Sequence, residues 1–244
     1  LDYLKNLGVN AVELLPIMEF SGNQSWGYNP NFYLAPDKAY GTPDAYRRFI
    51  DECHKRGMAV ILDIVFNHVD GRHPWYNMYP GISTKFFNAN GSAPHAWSVF
   101  NDWKQEYDLV EMHFEDALKY WITEFKADGF RFDLMAIHDI ETMNRVAAEL
   151  KEINPDIFVY GEGWTAGGSP LPAERRALKE NVAKMNGVAV FSDDIRDAIK
   201  GHYSDAADRG FATGKPGLEE TVKIGIVAAT PHPQVDYSKG NNSK

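Results

Sequence analysis

The sequence has 244 residues, of which 44% are hydrophobic and 13% aromatic, a composition typical of a globular domain with a large core. Its formal net charge of −9, with Lys and Arg scattered along the chain, disfavours nucleic acid as a partner. No apolar run approaches the roughly 20 residues of a membrane span, and no basic-then-apolar leader pattern opens the sequence. The cellular compartment stays unknown.

The predicted elements alternate between helix and strand from the first residue. Residues 1–9 predict an amphipathic helix and residues 10–15 a strand, so the sequence is expected to begin inside a repeat. The next helix has Pro43 near its start and Gly57 as its stop, and Cys53 falls on its apolar face as a predicted core residue, although a reactive thiol is an alternative. The remaining predictions are a strand over 58–65, helices over 113–129, 141–155 and 172–187, and strands over 130–133, 156–162 and 188–191.

Five helix–strand units predict an α/β fold with a parallel sheet, either a doubly wound sheet or a (β/α)₈ TIM-type barrel. No GxGxxG follows a strand, which argues against the nucleotide-binding version. Two connections, 16–42 and 68–110, are unusually long, and both follow the carboxyl ends of strands, where such folds carry their sites. We predict one domain over 1–244 with a loop excursion at about 68–110.

Polar side chains end three successive predicted strands. Because the carboxyl ends of parallel strands lie side by side, Asp133 and Glu162 are expected to share one cleft. Arg131 and Asp63 are expected nearby as candidate substrate-binding residues. These residues come from three short stretches: DIVFNH with Asp63, Asn67 and His68, GFRFD with Arg131 and Asp133, and YGEGW with Glu162.

Two carboxylates in one cleft have complementary roles in cleaving a glycosidic bond. One attacks the anomeric carbon, and the other protonates the leaving oxygen and then activates water. We predict Asp133 as the nucleophile, kept ionised by Arg131, and Glu162 as the acid/base. Glu162 is expected to be less compensated by positive charge, which would give it the raised pKa that an acid requires.

Aromatic residues on the loops at the same face are candidates for stacking on sugar rings. For Tyr28, Trp26 and Trp164 we predict sugar contact, whereas Trp75 and Tyr76 are interpreted as loop packing. His68 is a candidate donor to a sugar hydroxyl, with a satisfied histidine that closes a loop as the alternative.

Two other interpretations of the charged residues stay open. Arg131 and Asp133 alone could form a structural ion pair at a strand end. Asp63, His68, Asp133 and Glu162 are all possible metal ligands, but the basic Arg131 among them disfavours a cation, so no metal is assigned.

With these motifs assembled, the chain resembles the family 13 glycoside hydrolases, the α-amylase superfamily. The stretches DIVFNH, GFRFD and YGEGW are similar to three of that family's four signature regions and occur in its order. The resemblance implies a catalytic (β/α)₈ barrel acting on α-glucans, with Asp133 as nucleophile and Glu162 as acid/base. It also implies that Arg131 and His68 bind at the cleaved sugar and that Tyr28 stacks under it.

The second half resembles the type I pullulanases, which cut α-1,6 branch points. The similar stretches are FRFDLMAIHDIETMN, VYGEGWTAGGSPLP and FSDDIRDAIKGHY. The front half departs from that subgroup, because SWGYNP stands where YNWGYDP is usual, and the following segment is shorter and more like amylases or other debranching enzymes. From the resemblance of the second half we predict a preference for α-1,6 linkages, and the departure of the front half leaves an α-amylase or other α-1,4-acting enzyme as the alternative.

The fourth signature, which carries the third acidic residue, has no match after VAVF. The resemblance then implies about strands 2 to 6 of the barrel, so the chain is expected to be a partial barrel that is inactive alone. No cofactor is expected to be required, a structural calcium near Asn67 is left open, and an α-glucan is the expected partner. A non-catalytic carbohydrate-binding descendant of the fold is the alternative from another class.

Overall fold

The structure, a computed structural model, describes residues 1–78, 86–87, 101–102, 108–169, 171–228 and 231–240. Much of the predicted excursion at 68–110 therefore lies outside the described residues. The helices and strands in chain order are α1 (Asp2–Asn6), β1 (Ala11–Leu14), β2 (Met18–Phe20), β3 (Pro30–Pro36), α2 (Pro43–His54), β4 (Ala59–Ile64), β5 (His68–Val69), α3 (Pro74–Met78), β6 (Asn101–Asp102), α4 (Asp108–Phe125), β7 (Gly129–Phe132), α5 (Ile140–Ile153), β8 (Phe158–Gly161), β9 (Ala189–Val190), α6 (Asp193–Lys200) and α7 (Glu219–Val227).

A five-stranded parallel sheet in the order β1-β4-β7-β8-β9 organises the described part of the chain. Each strand pairs with the next strand of a helix–strand unit, as in consecutive units of a (β/α)₈ barrel. The predicted parallel α/β architecture is therefore confirmed. The Tyr160 hydroxyl on β8 donates a hydrogen bond to Glu13 on β1, although two strands lie between them in the sheet. This contact indicates that the sheet is curved and that its concave face brings β1 and β8 together.

Helices cover one face of this sheet. Phe130 and Phe132 of β7 are buried in the same core as Trp121 of α4 and Val146 of α5. Arg131, between the two phenylalanines, points to the concave face, because successive side chains of a strand alternate. Cys53 of α2 is also fully buried in this core, which confirms the prediction for it.

Helix α2 begins and ends as its sequence predicts. The Thr42 hydroxyl accepts a hydrogen bond from the Ala45 N–H, and Pro43 occupies the first turn, where its missing N–H costs nothing. Gly57 has a φ of +67°, the left-handed conformation that glycine adopts without strain.

The predicted helix over 172–187 is wrong. That segment contains two 3₁₀ helices, Ala173–Arg175 and Lys179–Lys184. Between them, Ala177 donates its N–H to the carbonyl of His138, and Arg176 forms a β-bridge with Asp139. These contacts with the segment before α5 take the backbone groups that a continuous α-helix would use internally.

Candidate functional site

The carboxyl ends of β4, β7 and β8 bring the predicted charged residues together. Asp63 of β4, Arg131 of β7 and Tyr160 of β8 are partners in the parallel register. Asp133 and Glu162 come directly after the last residues of β7 and β8. Adjacent strand ends therefore supply both candidate catalytic carboxylates.

Arg131 is bonded to three carboxylates at once. Its Nη1 lies 2.9 Å from Oδ1 of Asp63 and 3.0 Å from Oδ1 of Asp133, and its Nη2 lies 2.6 Å from Oε1 of Glu162. The guanidinium is always charged and presents its N–H donors in a planar fork, which suits this geometry. Arg131 therefore forms an ion-pair network with three carboxylates rather than the isolated pair with Asp133 that was the alternative interpretation.

Glu162 is more closely paired with Arg131 than the sequence suggested. The expectation that it is the less compensated carboxylate is wrong, since its distance to the guanidinium is shorter than that of Asp133. Burial nevertheless raises the pKa of Glu162, while Arg131 and the Leu134 N–H act in the opposite direction. The raised pKa thus comes from lost hydration rather than from a lack of positive charge.

Leu134 is a residue of the site that the sequence did not reveal. Its backbone is left-handed, with φ 44° and ψ 47°, an uncommon conformation for a residue with a branched side chain. In this conformation the N–H of Leu134 donates to Oε2 of Glu162 at 2.9 Å. The turn after Asp133 therefore orients the carboxylate of the neighbouring strand.

The two glycines that flank Glu162 allow close packing. A Cβ at Gly161 would lie 2.6 Å from the carbonyl oxygen of Phe132, and a Cβ at Gly163 would lie 2.6 Å from the backbone nitrogen of Lys179. Contacts this short do not occur for real side chains, so only glycine fits at either position. The GEG sequence holds Glu162 tightly between β7 and the segment that contains Lys179.

Asp63 is positioned to support the site rather than to contact a ligand. Its side chain is only 2% exposed, and it accepts hydrogen bonds from the Tyr28 hydroxyl at 2.6 Å and from Arg131 at 2.9 Å. Burial raises the pKa of Asp63 to about 7, against the opposing effects of Arg131 and the Tyr28 hydroxyl. This geometry favours a positioning role over the predicted substrate contact.

Tyr28 and His68 form a linked pair at the edge of the site. The Nε2 of His68 lies 2.8 Å from the carbonyl oxygen of Tyr28 and therefore donates to it. Burial lowers the pKa of His68, so the ring is neutral, and burial raises the pKa of Tyr28, whose hydroxyl stays protonated. His68 thus closes the loop that carries Tyr28, and a sugar contact by either residue stays a prediction.

Gly27 explains part of the stretch SWGYNP. It has a φ of +94°, and a Cβ there would lie 2.3 Å from the carbonyl oxygen of Pro16. Only glycine at position 27 lets the loop pass this close to Pro16. The close approach places the next residue, Tyr28, where its hydroxyl reaches Asp63. Trp26, on the other side of Gly27, is 73% exposed.

Of the remaining aromatic residues considered in the sequence, Trp164 lies next to the site, whereas Trp75 and Tyr76 pack within loops. Trp164, two residues after Glu162, has its ring centroid 6.4 Å from that of Phe191. Trp75 instead packs on the ring of His113 at 4.8 Å, in agreement with its interpretation as loop packing. Tyr76 packs edge-on against Phe87 at 5.6 Å, also as interpreted.

Asn67 donates its Nδ2 to Oδ2 of Asp133 at 3.1 Å. Its Oδ1 is buried and has no hydrogen-bond partner among the described residues. Calcium takes six to eight oxygen ligands, and in the described part of the chain no group of three or more His, Cys, Asp or Glu is arranged to hold a metal ion. The calcium near Asn67 therefore stays a prediction.

Comparison with known proteins defines the class of this fold and site. The family model for the α-amylase catalytic domain matches residues 1–90. The pullulanase of Bacillus subtilis (strain 168) is 35% identical over 250 residues, which cover 94% of this chain and 34% of the relative. The malto-oligosyltrehalose trehalohydrolase of Saccharolobus solfataricus is 40% identical over 219 residues, which cover 86% of this chain and 37% of the relative.

Solved structures agree with these relatives. The crystal structure of the pullulanase from Anoxybacillus sp. LM18-11 complexed with maltotetraose superimposes with a TM-score of 0.83 at 35% identity, covering 92% of this chain and 35% of that one. The described sheet and its helices thus match part of an amylase-type α/β barrel. The chain belongs to the α-amylase superfamily of glycoside hydrolases and is close to the pullulanases. It spans 34% and 37% of the length of these two curated relatives, and 19–21% of the length of the pullulanases of Streptococcus and Klebsiella that it also matches.

Proposed function

We propose that this chain carries the active-site carboxylates of a retaining α-glucan hydrolase that cleaves α-1,6 branch linkages. The observation that carries the proposal is the guanidinium of Arg131, whose nitrogens lie 3.0 Å from Asp133 and 2.6 Å from Glu162. Both carboxylates therefore lie within reach of one guanidinium on adjacent strand ends. A retaining mechanism requires two carboxyl groups close together, at a separation of about 5–5.5 Å.

In the proposed mechanism, Asp133 attacks the anomeric carbon and forms a glycosyl ester while the bond to the leaving oxygen breaks. Arg131 and the Asn67 amide both bond to Asp133 and orient it for this attack. Glu162 gives its proton to the leaving oxygen and then takes a proton from the water that hydrolyses the ester. Its raised pKa supports this role, since an acid must hold a proton near neutral pH.

Sugar binding is proposed for the aromatic residues that border these carboxylates. Tyr28 would stack under the sugar at the cleaved bond, with its hydroxyl already held by Asp63. Trp164 and the exposed Trp26 would contact neighbouring sugars, while His68 fixes the Tyr28 loop and donates to a hydroxyl only if its contact with Tyr28 is exchanged.

The preference for α-1,6 linkages rests on the relatives. Pullulanases from Bacillus, Streptococcus and Klebsiella align with 82 to 97% of this chain. The stretch that contains Glu162 and Trp164 is among the segments that resemble type I pullulanases, and it lies where the leaving sugars would bind.

The test measures cleavage of pullulan, in which α-1,6 bonds join maltotriose units, against linear amylose, using the full-length protein. We expect maltotriose from pullulan at a higher rate than any product from amylose. In the same assay Asp133→Asn is expected to abolish hydrolysis but keep substrate binding, because an amide cannot form the ester. Asp156→Asn, which changes an exposed aspartate on the loop before β8, is the matched control and should retain wild-type activity. Wild-type turnover by Asp133→Asn would remove Asp133 from the mechanism.

A second candidate is hydrolysis of malto-oligosyltrehalose with release of trehalose, an action named by the relative with 40% identity. The same product analysis, with malto-oligosyltrehalose as a third substrate, separates the two candidates. Trehalose as the main product would favour the second candidate, and cleavage of α-1,4 bonds in amylose alone would favour an amylase. Binding of glucans without any hydrolysis would favour a carbohydrate-binding protein, which has no use for two catalytic carboxylates.

A further inference from the structure

Phe191, the residue directly after β9, lies against the charged cluster, although no sequence pattern predicted a role for it. Its ring centroid is 5.8 Å from the central carbon of the Arg131 guanidinium. The ring also packs edge-on against Tyr160 at 5.4 Å and lies 6.4 Å from the ring of Trp164. Phe191 therefore contacts Arg131, which joins the carboxylates, and lies near Tyr160 and Trp164, which stand two residues before and two residues after Glu162.

The ring meets Arg131 in a way that leaves its hydrogen bonds intact. The guanidinium uses its N–H groups, which lie in its plane, to bind Asp63, Asp133 and Glu162. An aromatic ring attracts a cation through its π electrons and needs none of these donors. A carboxylate in the place of the ring would compete for them, and an aliphatic side chain would supply no attraction.

The backbone couples Phe191 to Glu162. The N–H of Phe191 donates to the carbonyl of Gly161 at 3.1 Å, and Gly161 is the residue before Glu162. The ring is 36% exposed, and its buried side lies against Tyr160 and Trp164 at the end of β8. A shift of Phe191 would therefore change how Arg131 and Glu162 face each other.

We propose that Phe191 is a positioning residue, which holds Arg131 in the orientation that bridges Asp133 and Glu162. It acts through Arg131 and not by contact with the reacting atoms. The inference rests on the proposed hydrolysis only for its kinetic consequence, because the contact with Arg131 exists whatever the substrate.

The experiment compares Phe191→Leu, which keeps apolar volume without the π system, with Phe191→Tyr, which keeps the ring. Phe211→Leu is the matched control, since Phe211 is an exposed phenylalanine in a 3₁₀ helix outside the charged cluster. All variants are made in the full-length protein, and pullulan hydrolysis is measured as a function of pH. For Phe191→Leu we expect kcat/KM to fall by about 3- to 30-fold, the range that one cation–π contact supplies, mostly through kcat. Phe191→Tyr should restore most of it, and the control should equal wild type.

The pH profile gives a readout that a purely structural role would not move. Glu162 is faced by Arg131, by Asp133 and by the N–H of Leu134, and its pKa is raised mainly by burial. With Arg131 turned away, its guanidinium no longer favours the ionised form of Glu162, so the pKa of Glu162 rises. The alkaline limb of kcat/KM should therefore move to higher pH in Phe191→Leu and stay in place in Phe191→Tyr.

A crystal structure of Phe191→Leu tests the same inference without any activity. Arg131 turned away from Glu162 or Asp133 supports the proposal, and an unchanged bridge overturns it. Wild-type kinetics and pH profile in Phe191→Leu would overturn it as well. If the wild-type protein hydrolyses no α-glucan, the proposed function fails, and the crystal structure still decides the role of Phe191.

Discussion

Gly161 is a position where one added methyl group is expected to disable the site. A Cβ there would lie 2.6 Å from the carbonyl oxygen of Phe132 and 2.9 Å from the Cβ atoms of Phe132 and Met135. Favourable contacts between carbon atoms lie at about 3.5–4.0 Å, so β8 would have to move away from β7 by several tenths of an ångström to about 1 Å. The three atoms that this Cβ would meet are a backbone oxygen and two Cβ atoms, which cannot rotate aside as the end of a flexible side chain would.

The effect of Gly161→Ala on stability should be moderate and its effect on activity large. Overpacking of this kind costs about 1–3 kcal/mol, which lowers the unfolding temperature by roughly 2–4 °C per kcal/mol in a domain of this size. Glu162 moves with Gly161, and a displacement of about 1 Å at a catalytic group costs on the order of 100-fold in rate. We therefore expect kcat on pullulan to fall by about 100-fold while the protein still folds.

The assay pairs pullulan turnover with thermal unfolding of the same preparation. Gly71→Ala is the matched control, because a Cβ at Gly71 has nothing within 4 Å and its φ is not in the left-handed region. A Gly161→Ala protein with the turnover and unfolding temperature of wild type would refute the argument that the close contact of β7 and β8 positions Glu162.

Three further predictions use other parts of the described chain. Glu162→Gln should slow hydrolysis of natural glucans far more than that of substrates with an activated leaving group, and azide should partly rescue it, because only a poor leaving group needs protonation. Lys179→Met removes the cation 2.5 Å from Asp193 and should lower stability by about 1–3 kcal/mol in urea unfolding, against about 0–1 kcal/mol for Lys223→Met, which removes an exposed pair. Burial lowers the pKa of His138 to about 4, so its neutral form stabilises the fold above pH 6.5, and about 2–3 kcal/mol should be lost as the pH falls from 6.5 to 4. His138→Phe should remove this share of the pH dependence when unfolding temperatures are compared across this range, while the shares of His68, His73 and His113, whose pKa values burial also lowers, should stay.

Each of these has an outcome that would contradict it. Equal loss of activity on both substrate types would exclude Glu162 as the acid/base. Equal destabilisation by Lys179→Met and Lys223→Met would mean that the ion pair between Lys179 and Asp193 is no stronger than a surface pair. An unchanged pH dependence in His138→Phe would mean that another group controls acid unfolding.

The sequence by itself determined the architecture and the motif residues. The helix–strand units could be predicted because their signals are local: the spacing of apolar residues along each segment, and helix-ending residues such as Gly57. The alternation in GFRFD separates Phe130 and Phe132 from Arg131 and Asp133, because two-residue periodicity is a property of any strand. That the residues at three strand ends meet follows from parallel order alone.

What only the tertiary structure decided depends on contacts between segments far apart in sequence. The helix predicted over 172–187 was wrong because backbone bonds to His138 and Asp139 override its local propensity.

The balance of charge at the site is likewise a three-dimensional property. Arg131 lies closer to Glu162 than to Asp133, and the pKa of Glu162 is raised by burial, which no spacing in the sequence reports. The left-handed Leu134 and the ring of Phe191 act on Glu162 and Arg131 from separate segments. Hydration and orientation depend on all the neighbours of a group in space, and those neighbours are assembled only when the chain folds.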